Sequence, residues 1–232
     1  MENRISVPHQ TRTVVAVFAK PPRAGEVKTR LCPPLTPIGA SRIAKAFLTD
    51  TWNLVTAIPW AQPVLATTSH APELPQADRV WLQGEGDLGA RIERIARLAL
   101  ETADSVIVIG ADSPGLPPRF LDAARLALAT HDAVIGPCDD GGFYLLGLKR
   151  CPPLLFADLP WSDSTTAAAT SARIRAAALS LFELPKWFDV DHAHDLERLV
   201  DLIAKGEIEA PASAAALAIE LPILPSLLRV PS

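Results

Sequence analysis

Short apolar runs alternate with amphipathic stretches along most of this chain. TVVAVFA at 13–19, QPVLATT at 62–68, RVWLQ at 79–83, DSVIVIG at 104–110, DAVIG at 132–136, GFYLLGL at 142–148 and LSLFEL at 179–184 each predict a strand. Residues 37–57 place Ile43, Phe47, Leu48, Leu54 and Val55 at helical spacing, with Ile58 just beyond. Thr36 is the expected cap of that helix and Pro37 opens its first turn. The same period predicts helices over 87–101, 118–130, 164–178 and 192–204.

Strand–helix alternation of this kind predicts a three-layer α/β/α domain with a mostly parallel sheet. The unbroken apolar character of DSVIVIG fits a central strand buried on both faces. We expect a polar N-terminal tail over 1–12, one domain over 13–205, and an Ala/Pro/Leu-rich appendage over 206–232 that folds back on the domain or onto a second copy. In open α/β sheets ligands bind beyond the carboxyl ends of the strands. The loops there are 20–35, 84–89, 111–117, 137–142 and 185–191, and the unusual residues collect in them.

Composition narrows the reading. The 232 residues are 49% hydrophobic, enough for a full core, and the net charge of −4 argues against broad nucleic-acid binding. Cys32, Cys138 and Cys151 follow neither disulfide-framework nor zinc-site spacing, which suits a reducing compartment. No apolar run reaches the ~18 residues a bilayer span needs. The first twelve residues lack a signal-like apolar core, so the expectation is a cytoplasmic protein without membrane or nucleic-acid partners.

Against that acidic background, Lys20, Arg23, Lys28 and Arg30 crowd into KPPRAGEVKTRL with Glu26 the only acid among them. Pro21 and Pro22 stiffen this loop and Gly25 permits a tight turn. It either wraps a polyphosphate or is a solvated basic loop; it is not a Walker A loop. Asp112 in GADSPGL follows a buried run, where a carboxylate needs a partner: a magnesium ion, or the N-terminus of the helix beginning near Pro117. In WFDVDHAHDL, Asp189 and Asp191 alternate along extended chain and point the same way, as a cation site with Asp112 or with Asp191 as a helix cap. His192 and His194, two apart on a helix, do not make a zinc site.

GEGDLG at 84–89 matches a dinucleotide fingerprint, but Glu85 and Asp87 would repel a pyrophosphate, and it follows the third strand rather than the first. We read Gly86 as letting backbone approach a base or ribose, with Asp87 capping the next helix. Asp139, Asp140, Gly141 and Gly142 suit a tight turn between strands, and their neighbourhood allows an acceptor-side role. In LPWSDSTT, Ser162 or Ser164 is a candidate cap, while Trp161 and Tyr144 are core aromatics or stacking platforms for a sugar or base.

FAKPPRAGEVKTRL, QGEGDLGARI, IGADSPGL, VIGPCDDGGFYLLGL, LPWSDST and FDVDHAHDL, in this order over about 13–200, resemble a bacterial family of the nucleotide-diphospho-sugar transferase superfamily. Its members have the glycosyltransferase-A fold and are often called glycosyltransferases, with an arsenosugar-biosynthesis context in some genomes. The first, fourth and last motifs also resemble 2-phospholactate and molybdenum-cofactor guanylyltransferases. The resemblance implies that Lys20, Lys28 and Arg30 hold phosphates, with Gly25, Thr29, Gly86 and Asp87 completing the nucleotide site. It implies Asp112 and Asp191 as ligands of magnesium or manganese, and Lys28, Arg30 and Asp112 as the catalytic set. Asp140, Gly141, Gly142, Trp161 and Ser162 then face the acceptor.

His192-Ala193-His194 departs from the usual Thr-Pro-Glu, and Cys32 and Cys138 replace small residues. Sugar-transferring relatives carry an Asp-x-Asp at the metal strand, whereas this chain has Asp112-Ser113-Pro114. That leans the expectation to nucleotidyl transfer from a triphosphate to a phosphorylated small molecule. Glycosyl transfer from a nucleoside-diphosphate sugar, or a nucleotide-binding protein without turnover, are the alternatives. A homodimer fits any of the three.

Overall fold

A computed structural model describes residues 11–221. Seven strands form one sheet: β1 (Thr13–Ala19), β2 (Ala61–Thr67), β3 (Val80–Leu82), β4 (Ser105–Gly110), β5 (Ala133–Pro137), β6 (Phe143–Leu148) and β7 (Leu181–Glu183). Their order is β3-β2-β1-β4-β6-β5-β7, and only β6 runs against the others. Each strand matches an apolar run of the sequence to within two residues at either end.

The helices are α1 (Pro37–Thr56), α2 (Leu88–Leu100), α3 (Pro118–Thr130), α4 (Thr166–Ala176), α5 (Ala193–Ala204) and α6 (Pro211–Glu220). Thr36 caps α1 by accepting from the Gly39 amide at 3.0 Å, as its position predicts. Alternate residues of β1 and β4 feed two cores, because successive side chains leave a strand on opposite faces. Val14, Ala16, Val106 and Val108 pack with Ile92 and Ile95 of α2 and Ile174 of α4. Val15, Val17, Ile107 and Ile109 pack with Leu48 and Trp52 of α1 and with Phe120 and Leu121 of α3. Burial on both faces explains why these strands carry no polar alternation.

A third core joins the basic loop to α5 and α6. Leu31, Ile43 and Phe47 meet Phe188, Val190, Leu196 and Leu199, with Leu217 of α6. The stretch from 211 to 220 therefore packs back on the domain. Buried Asp50 of α1 accepts from the Ala212 and Ser213 amides at 2.9 and 2.8 Å and from the Ser213 hydroxyl at 2.6 Å, serving the first turn of α6. Arg42 closes the other end of α6 on Glu220 at 2.8 Å. The polar tail expected over 1–12 lies mostly outside the described residues, as does the appendage beyond 221. No described helix is long and apolar enough to cross a membrane.

Candidate functional site

The strand ends converge on a cleft of ≈ 780 Å³ lined by every loop singled out from the sequence. Lys20, Lys28, Thr29 and Arg30 come from the loop after β1, Gly86 and Asp87 from that after β3, and Asp112 from that after β4. Asp140 and Gly142 come from the β5–β6 turn, Trp161 and Ser162 from the loop before α4, and Asp189 and Asp191 from the segment after β7. A smaller recess near Leu65, His70 and Leu74 holds none of these groups. Gly25 does not line the cleft; at φ +82° it turns the basic loop.

The centre of the cleft is a three-way ionic contact. Lys28 Nζ lies 2.7 Å from Asp112 Oδ1 and 2.8 Å from Asp191 Oδ1, and donates to the Val190 carbonyl at 2.8 Å. Its side chain is only 5% exposed. Burial alone would lower the Lys28 pKa, but Asp112 and Asp191 outweigh it and hold the ammonium above its ordinary value. Asp191 shows the converse: burial would raise it, yet Lys28 and then Arg30 hold it below the usual carboxylate range. Arg30, itself 63% exposed, reaches Asp191 Oδ2 at 3.9 Å.

Two local features make that contact. Lys28 sits in the left-handed region, at φ 49° and ψ 37°, just before a short 3-10 turn over Thr29–Leu31. Leu31, at the end of that turn, is fully buried in the third core, which anchors the loop. The Val190 amide donates to the Asp112 carbonyl at 2.9 Å, clipping the segment after β7 to the loop after β4. The sequence assigned Lys28 to phosphate and the two acids to a metal; in the fold these three groups bind one another.

Asp191 is not the helix cap. His192 takes that place, and Asp195 reaches back to accept from the Asp191 and His192 amides at 3.1 and 2.8 Å. The carboxylate of Asp191 is thus left to face the cleft.

Beside them lies a second acidic group. Cys138, Asp140 and Asp189 bring their ligand atoms within 4.8 Å of one another. Burial first, then the charges of Asp140 and Asp191, push Asp189 up to about 7. Burial, with Asp189 and Asp140 next, also drives the Cys138 thiol far above its usual range, so it stays protonated and inert.

The turn that carries Asp140 is the tight β5–β6 connection expected from its sequence. The Cys138 amide donates to Gly142 O at 2.8 Å, and Asp140 Oδ1 accepts from the Gly142 amide at 2.8 Å. Gly141 has φ +92°, and a Cβ there would overlap the Ser164 carbonyl, so only glycine fits. Asp139 faces away and pairs with Arg198 at 2.8 Å.

One other sequence reading is corrected. Neither Ser162 nor Ser164 caps α4, which begins at Thr166; Asp163 holds the preceding turn, accepting from the Thr165 amide at 2.8 Å and its hydroxyl at 2.7 Å. Of the two readings of Tyr144, the core one holds: it is buried and donates its hydroxyl to Pro185 O at 3.0 Å. Trp161 is half-buried, edge-on to Phe143 at 6.3 Å.

The GEGD loop is held by side chains of the helix that follows it. Asp87 caps α2, accepting from the Ala90 amide at 2.8 Å. Arg94 donates to the carbonyls of Gln83 and Glu85, and Arg91 to that of Gly86 at 2.9 Å. Gly86, at φ +106°, completes the bend. Gln83, which the sequence did not mark, is buried and lines the cleft. Its Nε2 ties the ends of β1 and β2 by donating to Ala19 O and Ala66 O at 3.3 and 2.9 Å.

Solved structures confirm the architecture. A protein from Desulfovibrio desulfuricans G20, provisionally named a nucleotide-diphospho-sugar transferase, is 25% identical with a TM-score of 0.79, over 94% of this chain and 97% of its own. The fold is shared at 11% identity and TM-score 0.56 with a CMP:2-keto-3-deoxy-manno-octonic acid synthetase complexed with CTP, over 84% of this chain and 100% of the other. A cytidylyltransferase from Leptospira borgpetersenii serovar Hardjo-bovis aligns at 13% identity and TM-score 0.55, over 96% and 98%. No protein of curated function matches by sequence.

The model of a family described as "uncharacterized protein conserved in bacteria (DUF2064)" matches residues 44–163, just over half of the chain. That span contains Gly86, Asp87, Asp112 and Asp140 and stops short of Lys28 and Asp191 at either side. The chain belongs to this DUF2064 family, and its fold is that of the nucleotide-diphospho-sugar transferases.

Proposed function

We propose that this protein is a nucleotide-dependent transferase using magnesium or manganese, and that it transfers a nucleotidyl group from a nucleoside triphosphate to a phosphorylated small acceptor. The observation that carries this reading is the meeting of Lys28 and Arg30 with Asp112 and Asp191 at the carboxyl ends of the strands. Basic groups from one loop and acids from two others are what a metal–polyphosphate needs on its two sides.

The donor set fits a hard cation. Asp112 and Asp191 present carboxylate oxygens to a shared point that already accommodates a positive charge, the Lys28 ammonium. Magnesium or manganese held by those carboxylates would add positive charge against phosphate oxygens. Cys138 is a poor ligand for such an ion and serves as packing.

In the reaction, an acceptor phosphate oxygen attacks the α-phosphorus of the triphosphate. The bond from that phosphorus to its bridging oxygen breaks, and pyrophosphate leaves. Lys28 and Arg30 neutralise the charge that builds on the leaving group, while Lys20 contributes at the cleft's rim. Asp140, Gly142 and Trp161 line the same cleft, and this reading assigns them to the acceptor. Catalysis of this kind is positioning and charge stabilisation, so the absence of a nucleophilic triad among the described residues is no obstacle.

Glycosyl transfer from a nucleoside-diphosphate sugar is the second reading, favoured by the provisional name of the Desulfovibrio protein. Asp112-Ser113-Pro114 in place of Asp-x-Asp weighs against it. A thermal-shift panel decides between them: the protein with magnesium against four ribonucleoside triphosphates, their diphosphates and sugar nucleotides. Stabilisation by one triphosphate, abolished by EDTA, is the expected result; a sugar nucleotide outperforming its triphosphate would replace it with glycosyl transfer.

A further inference from the structure

Lys28 is engaged on three sides: its ammonium donates to Asp191 Oδ1 and to the Val190 carbonyl at 2.8 Å, and it lies 2.7 Å from Asp112 Oδ1 as an ion pair. The side chain is shielded, its ammonium 5.8 Å from the centre of the Phe47 ring, and its backbone adopts a left-handed conformation that L-residues rarely take. The two acid oxygens it bridges are the ones assigned above to the divalent ion. An ammonium and a divalent cation cannot share that point, because their repulsion in a partly desolvated cleft is severe.

We propose that Lys28 is an internal competitor for the cation site. In the nucleotide-free protein it satisfies Asp112 and Asp191 and keeps their affinity for a free divalent ion low. A polyphosphate offers the ammonium another anionic partner, so divalent ion and nucleotide each bind better in the presence of the other, by the same factor in both directions. This rests on the reading of Asp112 and Asp191 as cation ligands, and it adds that the site discriminates against metal arriving alone.

The test is a titration of the nucleotide-free protein with Mn²⁺, followed by the electron paramagnetic resonance of the free ion. Lys28→Met should bind Mn²⁺ at least about tenfold more tightly than wild type, the scale of one charge-assisted contact. Adding Asp112→Asn to Lys28→Met should abolish the gain. A non-hydrolysable triphosphate should sharpen Mn²⁺ binding in wild type and do so far less in Lys28→Met. Equal or weaker Mn²⁺ binding by Lys28→Met would overturn the competition.

The outcome is separable from the functional reading. If Lys28→Met gains nothing while wild type still shows triphosphate stabilisation that Asp112→Asn removes, the competition falls and the nucleotide site stands. If no triphosphate stabilises wild type, the functional reading falls. Should Lys28→Met fail to fold, acylation of wild-type lysines read by mass spectrometry decides: Lys28 should be protected in the free protein and become reactive at saturating Mn²⁺, and unchanged protection would refute the proposal.

Discussion

Two acidic groups share this cleft and are treated in opposite ways. Asp112 and Asp191 are bridged by the buried Lys28 ammonium, and Asp191 is held below the carboxylate range as a result. Asp189 and Asp140, in the same cleft, face a neutral thiol instead, and Asp189 is pushed up to about 7. The nearest cation, Lys28, is engaged by the first pair. Residue type is the same on both sides; what differs is whether the chain supplies a counter-charge. The first group is a site in balance that a ligand must perturb. The second is a site with charge still to be compensated, by protons or by something brought in.

The most disruptive way to break the comparison is to displace the acid-only side. Gly141→Ala forces a Cβ into the Ser164 carbonyl at a positive φ, and should lower stability by about 2–4 kcal/mol in urea unfolding. Asp112→Ala acts on the balanced side. It leaves Lys28 with one acid and should remove EDTA-sensitive stabilisation by nucleotide, a loss of roughly a hundredfold in affinity at the upper end of a charged contact. Unchanged magnesium-dependent affinity by calorimetry would withdraw Asp112 from the site.

Lys28→Ala should weaken nucleotide binding by about tenfold or more, even as it relieves competition for the ion. An unaltered dissociation constant would return the basic loop to a solvated role. Asp189→Asn sharpens the contrast through pH. In the unfolded chain Asp189 ionises near its ordinary value of 3.8, whereas the folded protein keeps the proton up to about 7. Rising pH therefore favours unfolding across that window and adds nothing beyond it. In the metal-free protein Asp189→Asn should gain about 1 kcal/mol at pH 8, allowing for its partial exposure, and little at pH 4. Equal gains at both values, measured by chemical denaturation, would contradict the assigned crowding.

Much of the fold could be read from the chain. Every strand and five helices follow from hydrophobic period and from caps such as Thr36 and Asp87, because those signals are local. The loops at the strand ends were identifiable for the same reason, and they do line the cleft. The helix over 211–220 was not: its Ala/Pro/Leu-rich stretch reads as an appendage, and its docking depends on Asp50, 162 residues before Ala212. Asp195 as the reciprocal partner of the α5 cap was equally hidden, since histidine is not a residue that announces a cap.

The sequence by itself determined which side chains carry charge and at which strand ends they emerge. It could not determine their pairing. Lys28 meets Asp112 and Asp191 across 84 and 163 residues of chain, through a sheet order that sets β1 beside β4 and a backbone bond that clips residue 190 to residue 112. Whether a lysine faces phosphate or two carboxylates is a question of distances between loops, and those are fixed only when separate cores pack together. Local pattern specifies elements; the electrostatics of a site are long-range in sequence and exist only in the folded whole.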